Sequence, residues 1–198
     1  MTPVTRRDSE ATRRRLLQAA REEFTARGQA GARVDRIAND ARANKAQIYH
    51  YFGDKEGLFD AVLEACTEEA VSAVPIDAND LPEYAARLFE FHADHPDLLR
   101  LVTWARLEGR TTPSAQRLRQ RSYRRRLAAI ESAQRDGTVT GDVSAPQILD
   151  MIESLAVGWT TTARGVLAAQ PKVKRDRAAQ RQAIAEAVRR IIDPARLI

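Results

Sequence analysis

Between Lys45 and Lys55 the chain gathers side chains whose chemistry suits a polyanion with readable edges. Lys45 can donate to guanine O6 and N7, and Gln47 can pair with adenine N6 and N7. Ala46 between them allows close approach or packs on a thymine methyl. Tyr49, His50 and Lys55 suit phosphate oxygens, and Arg33 and Arg36 just upstream are weaker candidates for the same role. Such groups can act together only from one outward face, and the residues among them supply it. Val34, Ile37, Ala38 and Ala41 recur at helical spacing, the apolar stripe of one short helix. A break follows at Arg42-Ala43-Asn44. Asn44 can cap a second helix through its side-chain oxygen, and it stands at the entry to the same contact surface. In that helix Ile48 and Phe52 lie one turn apart and face inward, which leaves Lys45, Ala46, Gln47, Tyr49 and His50 largely outward. Two short helices of this kind describe a helix-turn-helix, whose second helix enters the major groove of DNA.

The run Ala43-Asn44-Lys45-Ala46-Gln47-Ile48-Tyr49-His50-Tyr51-Phe52, followed by Asp54-Lys55-Glu56-Gly57-Leu58-Phe59, resembles the DNA-binding signature of tetracycline-repressor-like (TetR family) transcriptional regulators. The resemblance covers Arg13–Val62, 50 of 198 residues. It implies an all-α chain of about nine helices, with a three-helix DNA-binding head over 1–53 and a ligand-binding and dimerisation body over 54–198. It also implies a homodimer on a double-stranded operator, regulating neighbouring genes. Three positions depart from the family pattern. Arg42 stands where the family usually has Gly, at a backbone position that tends to need positive φ. Arg33 replaces a Thr and leaves the helix that starts at Val34 without a good cap. Gln47 replaces a small hydroxyl residue and extends the reach toward a base edge.

Composition bounds the other possibilities. With 43% hydrophobic and 30% charged residues the chain reads as globular. No apolar run approaches the ~20 residues that span a bilayer, and the arginine-rich N-terminus lacks the apolar core of a signal peptide. Cys66 is the single cysteine, so no intrachain disulfide forms; a cytoplasmic location is expected. Only four of the 32 basic residues are lysine, which with the abundant alanine points to a G+C-rich bacterial genome. Charge is uneven: residues 1–60 carry net +3, 61–113 net −6, and 114–144 and 145–198 net +4 each. The basic head suits a polyanion, and the acidic stretch would turn away from it. Phosphate-cradling loops, metal-spaced histidine pairs and nucleophile motifs are missing, so neither an enzyme nor a cofactor is expected. Cys66 reads as a small core hydrophobe, and Arg124–Arg126 as a solvated face.

In chain order, residues 1–8 read as a mobile arm whose Arg6 and Arg7 could touch DNA. Asp8 or Ser9 can cap a first helix that carries Leu16, Leu17, Ala20 and Phe24 inward and stops at Gly28. After the helix-turn-helix, Asp54 caps a helix reaching Val71 or Val74, and residues 75–80 form a loop. Further helices are expected over 81–94, 98–108, 114–135, 148–168 and 176–192, the 98–108 segment apolar nearly all round and therefore buried. The last two helices carry more apolar surface than one body covers: Ile148, Ile152, Leu155, Trp159 and Val166 serve one face, while Leu149, Val157 and Leu167 remain for a partner. Hence a homodimer through 148–168 and 176–192. Tyr84, Phe91, Trp104, Tyr123 and Trp159 could ring a cavity for a mostly apolar effector, with His92, Arg106, Glu108, Thr161 and Thr162 as its polar groups. The competing readings are a DNA-binding architectural protein without an effector, and a helical ligand carrier or enzyme.

Overall fold

The computed structural model describes residues 6–107, 109–161 and 176–195, with the side chains of all but Arg6, Arg7, Arg106 and residues 159–161. Glu108, Thr162, Val166 and Leu167 lie outside the described residues, as do the side chains of Arg106, Trp159 and Thr161. Nine α-helices and no strand occur among the described residues: α1 Arg6–Gly31, α2 Val34–Asp40, α3 Lys45–Phe52, α4 Lys55–Ala73, α5 Leu81–Asp94, α6 Pro96–Leu107, α7 Pro113–Arg135, α8 Ala145–Thr161 and α9 Arg177–Ile192. No described helix is long and apolar enough to cross a membrane.

Helix ends follow side-chain chemistry. The helical run of α1 ends at Gly28, whose φ of 68° and ψ of 172° break the repeat. Asp54 Oδ1 accepts from Gly57 N–H at 2.7 Å, and Asp80 Oδ1 from Glu83 N–H at 3.0 Å, starting α4 and α5. The first helix starts earlier than its capping residues predicted. Residues 6–8, read from the sequence as part of a mobile arm, are already helical.

The chain divides into two compact units. The first runs to Glu69 and adds Asp97–Leu118; the second is Ala70–Pro96 with Arg119 onward. The helix α4, which follows the expected head-to-body boundary at 53/54, continues the first unit as far as Glu69. In that unit Leu16, Ala20, Phe24, Ile37, Ile48, Leu58 and Phe59 are all buried. Phe24 and Phe59 meet edge to face, ring centres 4.9 Å apart, worth about 0.5–1.5 kcal/mol beyond the area buried. Arg21 joins α1 to Glu69 of α4 at 2.6 Å and Asp97 of α6 at 2.7 Å. Trp104 lies against Gly28, where a Cβ would come within 3.2 Å of the indole. The expectation that the 98–108 segment is buried nearly all round is corrected at Leu107, which is 74% exposed near the end of α6.

In the second unit α5 packs on α8 and α9, and α8 on α9. Leu81, Tyr84, Ala85, Leu88, Ile130, Ile148, Leu149, Ile152, Ile184 and Val188 form one apolar cluster. Leu149, assigned from the sequence to a partner-facing surface, is fully buried here. Both α5 and α9 pack on α8, and both neighbouring positions, 148 and 149, are buried. Arg181 of α9 pairs with Glu83 and Glu90 of α5 at 2.5 and 3.2 Å, and Arg177 with Asp94 at 2.6 Å.

Candidate nucleic-acid interface

The break between α2 and α3 is built from local hydrogen bonds. Ala43 N–H reaches Ala38 O at 2.9 Å and Arg42 N–H reaches Asn39 O at 3.0 Å, closing α2 around Arg42. Arg42 holds φ of 50°, the left-handed conformation that favours glycine and the one positive φ outside glycine among the described residues. The turn therefore keeps its shape despite the departure from glycine. At its far side Asn44 and Gln47 form a reciprocal capping box: Gln47 N–H donates to Asn44 Oδ1 at 2.9 Å and Asn44 N–H to Gln47 Oε1 at 3.1 Å. Gln47 thus commits its carbonyl oxygen to the helix start.

Around this break α1 acts as a clamp. Arg15 Nε donates to Ala41 O at 3.2 Å, at the end of α2. The Ser9 and Tyr51 hydroxyls lie 2.9 Å apart, and the Arg13 guanidinium sits 5.4 Å from the Phe52 ring centre. The sequence reading missed the strongest member, Glu23. It is 7% exposed, and its Oε1 accepts from Arg33 N–H at 3.0 Å, Arg36 Nε at 2.8 Å and Arg36 Nη2 at 2.5 Å. Arg27 approaches Oε2 at 3.4 Å. Burial alone would raise the Glu23 carboxyl. The hydrogen bonds from Arg36 and the Arg33 amide, with the nearby positive charges, outweigh it and hold the group below its ordinary range. No side chain caps α2 at Arg33, as expected; Glu23 meets the Arg33 amide instead. The available signal was an acidic residue one turn from Ala20 on the inner side of α1, with three arginines within reach.

With Ile48 fully buried, α3 presents Lys45, Ala46, Tyr49 and His50 outward, and Tyr49 is 50% exposed. Phe52, expected inward, is half-buried. Lys45 is ion-paired with Asp35 of α2. Lys55 at the start of α4 is half-buried and donates to Ala32 O at 3.4 Å. Arg36 is turned onto Glu23 and Gly31 O, away from a free contact role. Gly57 fixes where α4 begins, because a Cβ there would stand 2.1 Å from Phe52 O.

Residues 16–62 match the family described as bacterial regulatory proteins, tetR family, and residues 80–190 match the tetracyclin repressor-like C-terminal domain. The chain belongs to the TetR family of transcriptional regulators. Similar to it is the HTH-type transcriptional repressor SCO4008 of Streptomyces coelicolor, 39% identical, over 94% of this chain and 98% of that one. The HTH-type transcriptional repressor NicS of Pseudomonas putida is 30% identical over 78% of each chain. The crystal structure of the Streptomyces coelicolor regulator SCO4942 superposes with a TM-score of 0.81 at 37% identity, over 92% of this chain and 99% of that one. As a TetR-family regulator the protein binds DNA through a helix-turn-helix, and the α2–α3 pair is that motif.

The residues expected around a TetR effector site belong to both units. Trp104 belongs to the first unit, where it contacts Gly28 and the Arg100 guanidinium, 5.7 Å from its ring centre. Tyr84, Phe91, His92 and Tyr123 belong to the second. Tyr84 is 1% exposed within the apolar cluster, with its hydroxyl toward Arg126 of α7. Phe91 stacks on His95 at 4.6 Å. His92 Nδ1 is buried and without a hydrogen-bond partner; burial and neighbouring His95 lower its basicity. No group of three or more His, Cys, Asp or Glu side chains able to hold a metal ion occurs among the described residues. Burial pushes the Cys66 thiol up to about 11, the behaviour of an inert core cysteine.

Proposed function

We propose that the protein is a homodimeric transcriptional repressor that binds a near-palindromic operator and leaves it when a small, mostly apolar molecule occupies the second unit. The observation that carries the DNA half is the exposed face of α3 on a frame that Glu23, Arg15 and the Asn44 capping box hold still. Lys45 and the free amide nitrogen of Gln47 take base edges, and Ala46 lets the helix approach closely. Tyr49, His50, Lys55 and Arg33 take phosphates, while Asn44 shapes the helix start. Lys55 is aided by the N-terminus of α4, whose amide groups favour an anion. Arg36 serves the frame instead. The repressor names of two similar proteins, with 39% and 30% identity, support repression over activation.

Dimerisation uses α8 and α9, within the segments 148–168 and 176–192, in a two-fold four-helix contact. Two heads then require half-sites about one helical turn (~34–36 Å) or a multiple apart. Coupling runs along α4: it starts at Lys55, and its last residues, from Ala70, belong to the second unit. The effector must bind the DNA-incompetent state more tightly, and DNA must weaken effector binding by the same factor. The test is a gel shift with DNA from the protein's own locus, with light scattering alongside. A dimeric mass and Lys55→Ala losing affinity for every sequence with a flatter salt dependence are expected. A monomeric mass at micromolar concentration, or no shift at moderate salt, contradicts the reading.

A further inference from the structure

The second unit contains a cluster of polar groups that DNA binding does not use. Tyr84 on α5 sits in the apolar core, and its hydroxyl accepts from Arg126 Nη1 on α7 at 3.5 Å. The same Nη1 is ion-paired with Glu153 on α8. Arg87, nearly one turn along α5, is close enough for its charge to bias the ionisation of Tyr84. Burial, the largest influence on that hydroxyl, keeps it protonated.

Two features of this cluster point to an anion. First, Arg87 Nε and Arg126 Nε are both buried and have no hydrogen-bond partner. A buried donor to which nothing binds costs about 1–3 kcal/mol, more on a charged group, so two in one cluster is a large uncompensated cost. Second, the half-buried Arg126 guanidinium has one carboxylate partner, Glu153, and Arg87 adds a further positive charge near Tyr84. The geometry at Arg126 is selective. Glu153 and Tyr84 both use Nη1, at one end of the guanidinium. Nε lies on the side-on edge through which an arginine grips a carboxylate with two parallel bonds. The walls are apolar: Leu88 lies one turn from Tyr84 in the same buried cluster, and Tyr123 and Leu127 pack against it from α7.

We infer that Arg87 and Arg126 receive the carboxylate of an organic monocarboxylic acid whose apolar remainder lies against Leu88, Tyr123 and Leu127. The Tyr84 hydroxyl supplies a further hydrogen bond to that head group. This inference rests on the reading that the second unit holds an effector, and it names the chemical class.

The experiment uses the full chain without DNA. Thermal unfolding and calorimetric titration are run with 1-naphthoate and octanoate, with 1-naphthamide and octanamide as uncharged matches and octyltrimethylammonium as the cationic one. At least one carboxylate is expected to raise the melting temperature saturably while its amide and the ammonium do not. Arg126→Gln and Arg87→Gln should each weaken that carboxylate by about tenfold or more, the effect of losing a hydrogen bond between charged groups. Among the described residues Arg87 makes no ion pair, so its variant keeps the test valid if Arg126→Gln fails to fold. Stabilisation by the amides or the ammonium as strongly as by the carboxylates overturns the inference. So does unchanged carboxylate affinity in Arg87→Gln, or no effect of any carboxylate on the wild-type protein. Operator binding by the ligand-free protein is measured in parallel. DNA binding without carboxylate binding sinks this site and leaves the regulator standing, and the converse result does the opposite.

Discussion

Glu23 in the first unit and Arg126 in the second are both ionisable groups taken largely out of water, and they are treated differently. Both Glu23 oxygens are met, by the Arg33 amide, Arg36 and Arg27. Arg126 shares one nitrogen between Tyr84 and Glu153 and leaves Nε unmet. The contrast extends to the neighbours. Among the described residues the first unit has one buried polar side-chain atom without a partner, the Thr25 hydroxyl; the second has nitrogens of Arg87, His92 and Arg126. A unit that satisfies its own interior can offer a fixed outer face, which is what reading DNA requires. The unmet polar atoms inside the second unit are the feature on which the proposed carboxylate site rests.

The largest effect expected from this comparison is at Gly57. Any side chain there collides with the Phe52 carbonyl, so Gly57→Ala should shift the α3–α4 junction and destabilise the first unit by about 3 kcal/mol, the upper range for overpacking. Urea unfolding would detect it, and a loss below about 1 kcal/mol would mean that the junction is softer than the frame argument allows.

Glu23→Gln comes next. It keeps the shape but leaves Arg36 with a neutral acceptor, at a cost of about 2 kcal/mol, reduced because Arg36 is 34% exposed. It also has a pH signature. The folded Glu23 lies below its ordinary value of 4.5, so its contribution is complete above pH 4.5 and is lost as pH falls from there through the lower folded value. Wild type and Glu23→Gln should therefore converge in stability on acidification. Parallel curves would remove Glu23 from its place as the keystone of the frame.

The smallest effect, and of opposite sign, is at His92. Burial, then His95, hold its folded value below 6.5, so the protein loses stability as pH falls below 6.5, where the unfolded chain takes up the proton more readily. His92→Leu removes the unmet Nδ1 and should be neutral or stabilising by up to about 1 kcal/mol, with less acid sensitivity. A loss of 2 kcal/mol or more would show that His92 is structurally engaged and that the two units do not differ in the way described.

What the sequence made legible was short in range. The stop at Gly28, the caps at Asn44 and Asp54, the missing cap at Arg33 and the inward Ile48 each depend on residues within one turn, and all were read correctly. What stayed hidden depends on partners far along the chain. Glu23 meets Arg36 thirteen residues away, and Trp104 finds Gly28. Leu149 is covered because α5 and α9 both pack on α8, although its spacing alone suits an outer face. Periodicity gives a helix its apolar side; it does not say how wide a side its neighbours will cover. Lys45 was legible as an outward cation but not as the partner of Asp35, because the turn between them sets that distance.

The central claim is that the outer face of α3 reads sequence from a frame fixed beneath it. The most direct measurement is the affinity of wild type and Lys45→Ala for an operator and for a scrambled duplex, by fluorescence anisotropy at several salt concentrations. The account predicts that Lys45→Ala loses about tenfold or more on the operator, as expected for a base-edge contact of about 1–3 kcal/mol, with a much smaller loss on the scrambled duplex. An equal loss on both would make Lys45 a phosphate contact and contradict the assignment of α3 as the reading helix through that residue.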